Sequence, residues 1–139
     1  MQKQHKHILA KLSLEKADEA LATGYKNLEI SLNTVQNRAY YAVFYTVLAL
    51  GYMDGFVTGK HHRLAGWFNK KYVYQDKIFP PSFSKIYTGL MINRETFDYD
   101  VTEKPTKEEV IKDLEKAKSF IDALKPYIQE KLNKEGADL

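Results

Sequence analysis

The sequence predicts an all-α fold, an up-and-down helical bundle of about five helices that forms one domain over residues 1–139. Apolar residues recur at steps of three and four through most of the chain, as they do on the buried face of a helix. No stretch shows the sustained alternation of apolar and polar residues that a half-buried strand requires. The few glycines and prolines, 7 and 4, divide the chain into these periodic stretches.

Helix one is predicted from about His5 to Thr23, with Gly24 placed to end it. Charged residues surround the rest of the helix, so we expect His5 and His7 to be exposed to solvent without a functional role. The predicted apolar face consists of Ile8, Leu12, Ala17, Ala20 and Leu21.

Helix two is predicted from Val35 to about Met53, with Asn33 or Thr34 as its N-cap. It is apolar on most of its circumference, so we expect it to lie at the centre of the bundle. Its uncharged stretch of 15 residues, 39–53, is shorter than the roughly 20 that a membrane-spanning helix needs. The sequence therefore favours a buried helix over a membrane span.

Helix three is predicted to follow a glycine-containing loop over residues 54–60, to begin at His61 or His62, and to end near Asp76. Helix four is predicted over residues 82–97, after Pro80 and Pro81. The predicted apolar face of helix three is Leu64, Ala65, Trp67, Phe68 and Tyr72, and the stripe along helix four is Phe83, Tyr87, Leu90, Arg94 and Phe97.

Helix five is predicted to open at Pro105 and Thr106, because Thr106 followed by Glu109 is the pattern of a capping box. We expect Pro126 to kink this helix or to split off its last turns. The clearest apolar stripe of the sequence lies here, formed by Val110, Leu114, Ala117, Ile121, Leu124, Ile128 and Leu132.

Composition limits the classes of function. The chain has no cysteine, which excludes disulfides, a thiolate nucleophile and cysteine-ligated zinc or iron–sulfur clusters. A phosphate-binding glycine loop and the serine-hydrolase, zincin and di-iron motifs are all missing. The net charge is +3, and residues 1–80 hold 11 basic and 6 acidic residues, which permits an anionic partner. The charged N-terminus lacks a signal-peptide core, so we expect a cytoplasmic protein. Since the motifs named above are missing, we also expect no cofactor.

Arg94 is the most informative single residue. It lies on the apolar stripe of helix four, and a guanidinium is costly to bury without a partner. Asp98, four residues later, is the expected partner, with Tyr99 beside it. The order Arg then Asp opposes the helix dipole, so the pair indicates a tertiary or functional role. The alternative is an ion pair that only fastens helix four to a neighbour.

Two further groups of residues are candidates for binding phosphate. Lys60, His61, His62 and Arg63 stand at the start of helix three, where unpaired backbone N–H groups favour an anion. A solvated basic loop is the alternative, and metal binding is disfavoured because adjacent helical histidines point about 100° apart. On helix two, Arg38 and Tyr41 share a face. They provide a stacking and phosphate-binding surface or, alternatively, a core tyrosine.

Three segments together resemble a known family. The strings NRAYYAVFYTVLAL, KHHRLAGWF and NRETFDYD are similar to the RAYYA, HxxLxxxF and RxxxDY segments of small stand-alone bacterial HEPN domains. The matching positions are Arg38, Tyr40, Tyr41, His61, Phe68, Arg94, Asp98 and Tyr99.

The resemblance implies a helical bundle that dimerises, is often encoded beside a minimal nucleotidyltransferase, and acts in RNA cleavage, nucleotide binding or toxin–antitoxin pairs. Ribonucleases of the family carry Arg followed, after four to six residues, by His. No arginine of this chain has that spacing. The resemblance therefore favours a protein that binds nucleotide or RNA over an enzyme.

Three hypotheses about function remain open. The first is a binder of nucleotide or RNA phosphate, which works as a homodimer with a nucleotidyltransferase-type partner. The second is a metal-independent endoribonuclease in which His61 exchanges protons and Arg94 stabilises the charged transition state. The third is a non-catalytic interaction module in which Arg94 and Asp98 only fix a dimer interface.

Overall fold

A computed structural model describes residues 2–136, and over that range the chain folds into five α-helices without any strand. A π-helical segment, Asn69–Gln75, continues the third helix. The second helix lies at the centre and packs against the other four, which confirms the predicted all-α bundle. The helices are α1 (Lys3–Lys26), α2 (Leu32–Asp54), α3 (His61–Phe68), α4 (Pro81–Tyr99) and α5 (Lys107–Gly136).

The central helix α2 begins and ends at well-formed caps. Its N-cap is Ser31, whose hydroxyl accepts a hydrogen bond from the Thr34 N–H at 3.3 Å, so the prediction of Asn33 or Thr34 as the cap was wrong. At the other end Gly55 adopts a left-handed conformation, φ 78°, and the Phe56 N–H bonds to the Gly51 carbonyl at 2.9 Å. These bonds reverse the chain and direct it towards α3.

The buried face of α1 differs from the predicted one. Ile8 and Leu12 are about half exposed, and the residues that face the core are mostly small or polar: His7, Ala10, Ser13, Leu14, Ala17, Ala20 and Gly24. His7 is therefore buried, against the prediction of solvent exposure. Gly24 does not end the helix, since α1 continues to Lys26. A Cβ at Gly24 would lie 2.9 Å from a Leu114 methyl, so glycine allows α5 to approach closely here.

The last helix, α5, follows the sequence prediction closely. The Glu109 N–H donates to the Thr106 hydroxyl at 3.2 Å, and the Glu109 carboxylate accepts from the Thr106 N–H at 3.5 Å, which confirms the capping box. All seven residues of the predicted stripe are buried. Pro126 lies within one continuous helix, so the last turns are not split off.

A buried carboxylate fastens the end of α2 to the π-helical segment and to α5. Asp54 accepts hydrogen bonds from the Tyr72 hydroxyl, from Lys71 Nζ at 3.1 Å and from Lys131 Nζ at 3.0 Å. Together with the reversal at Gly55, this network sets the position of α3 relative to α2. Within residues 2–136, no helix is long and apolar enough to cross a bilayer.

Candidate functional site

His61, the first residue of α3, turns towards α2 and α4. Its Nδ1 atom lies 2.7 Å from the Tyr40 hydroxyl and 3.4 Å from Nη2 of Arg94. Leu64, Ala65 and Phe68, which share a helical face with His61, are all buried, and their packing brings the imidazole inward. Residues from α2, α3 and α4 thus meet at one point, which we call the His61–Arg94 cluster.

Aromatic rings of α2 form the walls of this cluster. The Phe44 ring stacks on the His61 imidazole with centroids 4.3 Å apart and planes at 23°, and the Tyr41 ring meets the imidazole edge-on at 5.6 Å. The Arg94 guanidinium lies over the rings of Tyr40 and Tyr41, at 5.0 and 5.7 Å from their centroids. Cation–π contacts of this kind hold a guanidinium in place without neutralising its charge.

Arg94 is only 9% exposed, which confirms its predicted position on the buried stripe of α4. Its nearest carboxylate is Asp98, with Nη1 and Oδ2 3.8 Å apart, a distance too long for a strong hydrogen bond. The buried Nε atom has no hydrogen-bond partner within residues 2–136. A guanidinium has five N–H donors, and the protein partners described above do not bond all of them. Asp98 is also too distant to neutralise the positive charge of Arg94 through a close hydrogen bond.

The partners of His61 determine its tautomer. Burial raises the pKa of the Tyr40 hydroxyl, so this group stays protonated and donates. Arg94 can only donate, so two donors point at Nδ1, which must be the acceptor. The proton of the neutral ring is then on Nε2. Burial, followed by the positive charge of Arg94, lowers the pKa of His61.

Arg38 and Tyr41 form a second layer beside the cluster, as their spacing predicts. The Arg38 guanidinium lies 4.9 Å from the Tyr41 ring centroid, and its Nη2 donates to the Asn37 carboxamide oxygen at 2.7 Å. The Asn37 amide nitrogen in turn donates to Asp98 at 3.2 Å. The Asn37 amide therefore links Arg38 to Asp98. Tyr41 joins this chain of contacts through Arg38, and Arg94 joins it through Asp98.

The other predicted site residues lie further out. Lys60 and Arg63 are exposed and form no ion pair among the described residues. His62 points away from His61 and pairs with Glu95 at 2.9 Å. Tyr99 is exposed at the end of α4 and takes no part in the hydrogen bonds or ring contacts of the cluster. The basic sequence at the start of α3 is thus divided between the cluster and the solvent.

Sequence reasoning missed two contributors, Phe44 and Glu95, and the hydrogen bond from Asn37 on α2 to Asp98 on α4. Phe44 lies three and four residues after Tyr41 and Tyr40, so helical spacing alone would have placed it on their face. Asn37 and Glu95 act across helices, and no sequence spacing indicates such contacts. No three His, Asp or Glu side chains converge as metal ligands anywhere in residues 2–136.

Comparison with known proteins places the chain in a family. Residues 10–127 match the family described as the HEPN domain. A UPF0332 protein of Thermotoga maritima is 32% identical over 99 residues, which cover 71% of this chain and 74% of that protein. The match to the HEPN family, over residues 10–127, extends from α1 into α5 and includes every residue of the His61–Arg94 cluster. The chain belongs to the HEPN domain family.

Proposed function

We propose that this protein binds the phosphate of a nucleotide or of RNA at the His61–Arg94 cluster. The observation that carries the proposal is the Arg94 guanidinium, nine-tenths buried, 3.4 Å from His61 and 3.8 Å from Asp98, the one carboxylate that pairs with it among the described residues. Charge-assisted hydrogen bonds to phosphate are about twice as strong as neutral ones. A phosphate would supply the close anionic acceptor that Asp98 does not.

The cluster offers a phosphate two kinds of donor. Arg94 provides a cationic fork, and the neutral His61 ring provides the N–H of Nε2. Tyr41 and Arg38 lie beside them with planar groups on which a base or ribose can rest. Protonation of His61 adds a second positive charge, so we expect phosphate affinity to increase as the pH falls through the lowered pKa of His61.

The test is binding of a labelled mononucleotide and of a single-stranded RNA to purified protein. We expect Arg94→Gln to weaken both by at least about tenfold, since it removes charge-assisted hydrogen bonds. Affinity should also fall steeply with salt, because phosphate binding releases counterions. Lys112→Gln is the matched control, since it removes an exposed lysine already paired with Glu108 on α5. Unchanged affinity in Arg94→Gln, or no binding at all, would refute the proposal.

A second candidate function is metal-independent RNA cleavage, which the 3.4 Å approach of Arg94 to His61 favours. The tautomer argues against it, because an imidazole protonated at Nε2 has no free lone pair there to act as a general base. We expect little or no intrinsic ribonuclease activity. Metal-free cleavage that disappears in His61→Ala and Arg94→Ala but persists in His5→Ala would show that the protein is an enzyme.

The family resemblance supports a homodimer that works with a nucleotidyltransferase-type partner in a toxin–antitoxin-like pair. Co-expression with the protein encoded next to this one, followed by purification through a tag on either chain, tests the pairing. A pure interaction module, in which Arg94 and Asp98 only fix a dimer interface, would bind no nucleotide even as wild type, and Arg94→Gln would weaken its assembly. The proposed binder binds nucleotide as wild type and loses it in Arg94→Gln, so wild type and variant together separate the two roles.

A further inference from the structure

The solvent side of α3 carries residues that take no part in the His61–Arg94 cluster. Arg63 and Trp67 are one turn apart on α3, and Lys70 follows at the start of the π-helical segment that continues it. Gly66 lies between them. Arg63, Gly66 and Lys70 are exposed, and Trp67 is half-buried. We call these four residues the α3 face.

The cations of this region are unusually free of partners. Residues 60–77 contain five Lys or Arg and one acidic residue. Of these five cations only Lys71 forms an ion pair with a described residue, Asp54. By contrast, six of the seven lysines of α5 are paired with carboxylates. The α3 face therefore keeps its positive charge available to an anionic ligand.

Trp67 is held as a rigid platform within this charged surface. The Phe56 ring stacks on its indole with centroids 5.1 Å apart and planes parallel to within 1°. A depression of about 320 Å³ lies beside the indole, lined by Lys70, Lys71, Gln75 and Asp76 as well as Trp67 itself. Lys71 already pairs with Asp54, so the Trp67 ring next to the Lys70 ammonium group, unpaired among the described residues, and the Gln75 amide is the part that suits a nucleobase with its attached phosphate. Asp76 bounds the depression on its acidic side.

We propose that the α3 face binds single-stranded RNA that continues from the phosphate site, with Arg63 and Lys70 on phosphates and Trp67 against an unpaired base. His61 opens α3 but turns inward, and the α3 face lies on the solvent side of that helix, so the strand would pass around the start of α3 between the phosphate site and Arg63. The bases of a duplex are stacked on each other and not free to contact Trp67, which is why a single strand is the ligand. This inference rests on the proposed function and extends it from one phosphate to a strand.

Intrinsic fluorescence provides the first test, because Trp67 is the only tryptophan of the chain. The protein is titrated with an oligouridylate of about ten nucleotides, which is within the range of known single-strand sites, and with uridine monophosphate. We expect the oligonucleotide to quench Trp67 emission and to bind at least about tenfold more tightly than the mononucleotide. Equal affinities with unchanged Trp67 emission would overturn the inference.

Gly66→Glu provides the sharper test. A Cβ at Gly66 would meet no other atom within 4 Å, so the fold accepts a side chain that places negative charge on the α3 face. We expect oligouridylate to bind about tenfold more weakly, while uridine monophosphate binds as before. Gly89→Glu on α4 is the matched control, since its Cβ would also meet nothing within 4 Å. Equal oligouridylate affinity in the two variants would overturn the inference.

Replacing both Arg63 and Lys70 by Gln separates this inference from the proposed function. The double variant should reduce the salt slope of oligouridylate binding by about 1.4, the value for two phosphate contacts on a single strand. Arg94→Gln should instead weaken both ligands. If Arg94 matters for both ligands but the double variant changes neither, the α3 face is refuted and the phosphate site stands. If neither ligand binds wild-type protein, both proposals fail.

Discussion

At the scale of single residues, the chemistry of His61 is set by its neighbours. Burial and the Arg94 charge lower its pKa, so the unfolded chain binds a proton more readily than the folded one. The His61 contribution to stability is thus full above about pH 6.5 and decreases as the pH falls towards the folded-state pKa. We expect Arg94→Gln to raise the His61 pKa towards its ordinary value, as followed by NMR titration of the ring protons.

Lys112→Gln is the control for this titration. It also removes one positive charge, but Lys112 is paired with Glu108 and is not among the charged groups that act on His61. The His61 titration should therefore be the same as in wild type. A His61 pKa that stays constant in Arg94→Gln, or that moves equally in Lys112→Gln, would contradict the role assigned to Arg94.

The sequence predicts some residues of the site better than others. Burial of Arg94 and contact between Arg38 and Tyr41 follow from helical spacing alone, because each depends on one helix. The inward turn of His61 was also predictable, since it shares a face with Leu64, Ala65 and Phe68. Its approach to Arg94 depends on how α3 packs against α4, and periodicity within one helix does not determine that arrangement.

At the scale of elements, three glycines should respond differently to alanine. Gly66→Ala should stabilise the protein by about 1 kcal/mol, because the site is open and alanine favours a helix. Gly55→Ala should destabilise it by about 1–2 kcal/mol, because φ is 78°. Gly51→Ala should destabilise by about 1–3 kcal/mol, since its Cβ would lie 2.6 Å from the Phe56 carbonyl oxygen.

Urea unfolding of the three variants measures these free energies. The informative case is Gly51, which lies inside α2 where helix propensity alone predicts a gain of stability on replacement by alanine. A stable Gly51→Ala variant would show that the chain reversal after α2 is looser than the described geometry.

The Asp54 network predicts how α2, the π-helical segment and α5 respond to acid. Burial alone would raise the Asp54 pKa, but hydrogen bonds from Tyr72, Lys131 and Lys71 outweigh it and lower the pKa. The stabilisation is therefore present above about pH 3.9 and is lost as the pH falls through the lowered folded-state value. We expect Asp54→Asn to destabilise the protein at neutral pH by about 1–3 kcal/mol, with a smaller further loss in acid.

Unfolding by urea at neutral and at acidic pH checks this expectation. Asp122→Asn is the control, because Asp122 forms an exposed i,i+4 pair with Lys118 on α5, and such pairs contribute less than about 1 kcal/mol. Equal effects of the two substitutions would show that the Asp54 network contributes no more than a surface pair.

Among the elements, the predictions fail where small residues decide the packing. The predicted face of α1 was right for Ala17 and Ala20 but wrong for Ile8 and Leu12, which are about half exposed while Ala10, Leu14 and Gly24 face the core. Small side chains allow α1 to lie close to α2 and α5, and close packing outweighs side-chain size as a guide to burial. The π-helical segment likewise has no periodic pattern that would distinguish it from the helix it continues.

At the scale of the whole molecule, the helix count, the central place of α2 and the apolar stripe of α5 were all predictable, because each follows from apolar periodicity or from hydrophobicity around a helix. The surface that forms contacts between molecules was not predictable, since it depends on which apolar side chains remain exposed to solvent after folding. The other helices of the same chain cover most of α2. Apolar side chains on and just after α4 remain in solvent, among them Ile92 (53% exposed) and Val101 (93% exposed).

We expect this exposed part of α4 to form the centre of a two-fold symmetric dimer, since Ile92 and Val101 lose contact with water when it is covered. Ile92→Asp places a charge at that centre without disturbing the core, so light scattering at micromolar concentration should give a monomer mass while circular dichroism stays unchanged. Ile30→Asp is the control, because Ile30 is 78% exposed in the turn between α1 and α2. Dissociation by both substitutions would indicate non-specific association, and a monomeric wild-type protein would exclude the dimer altogether.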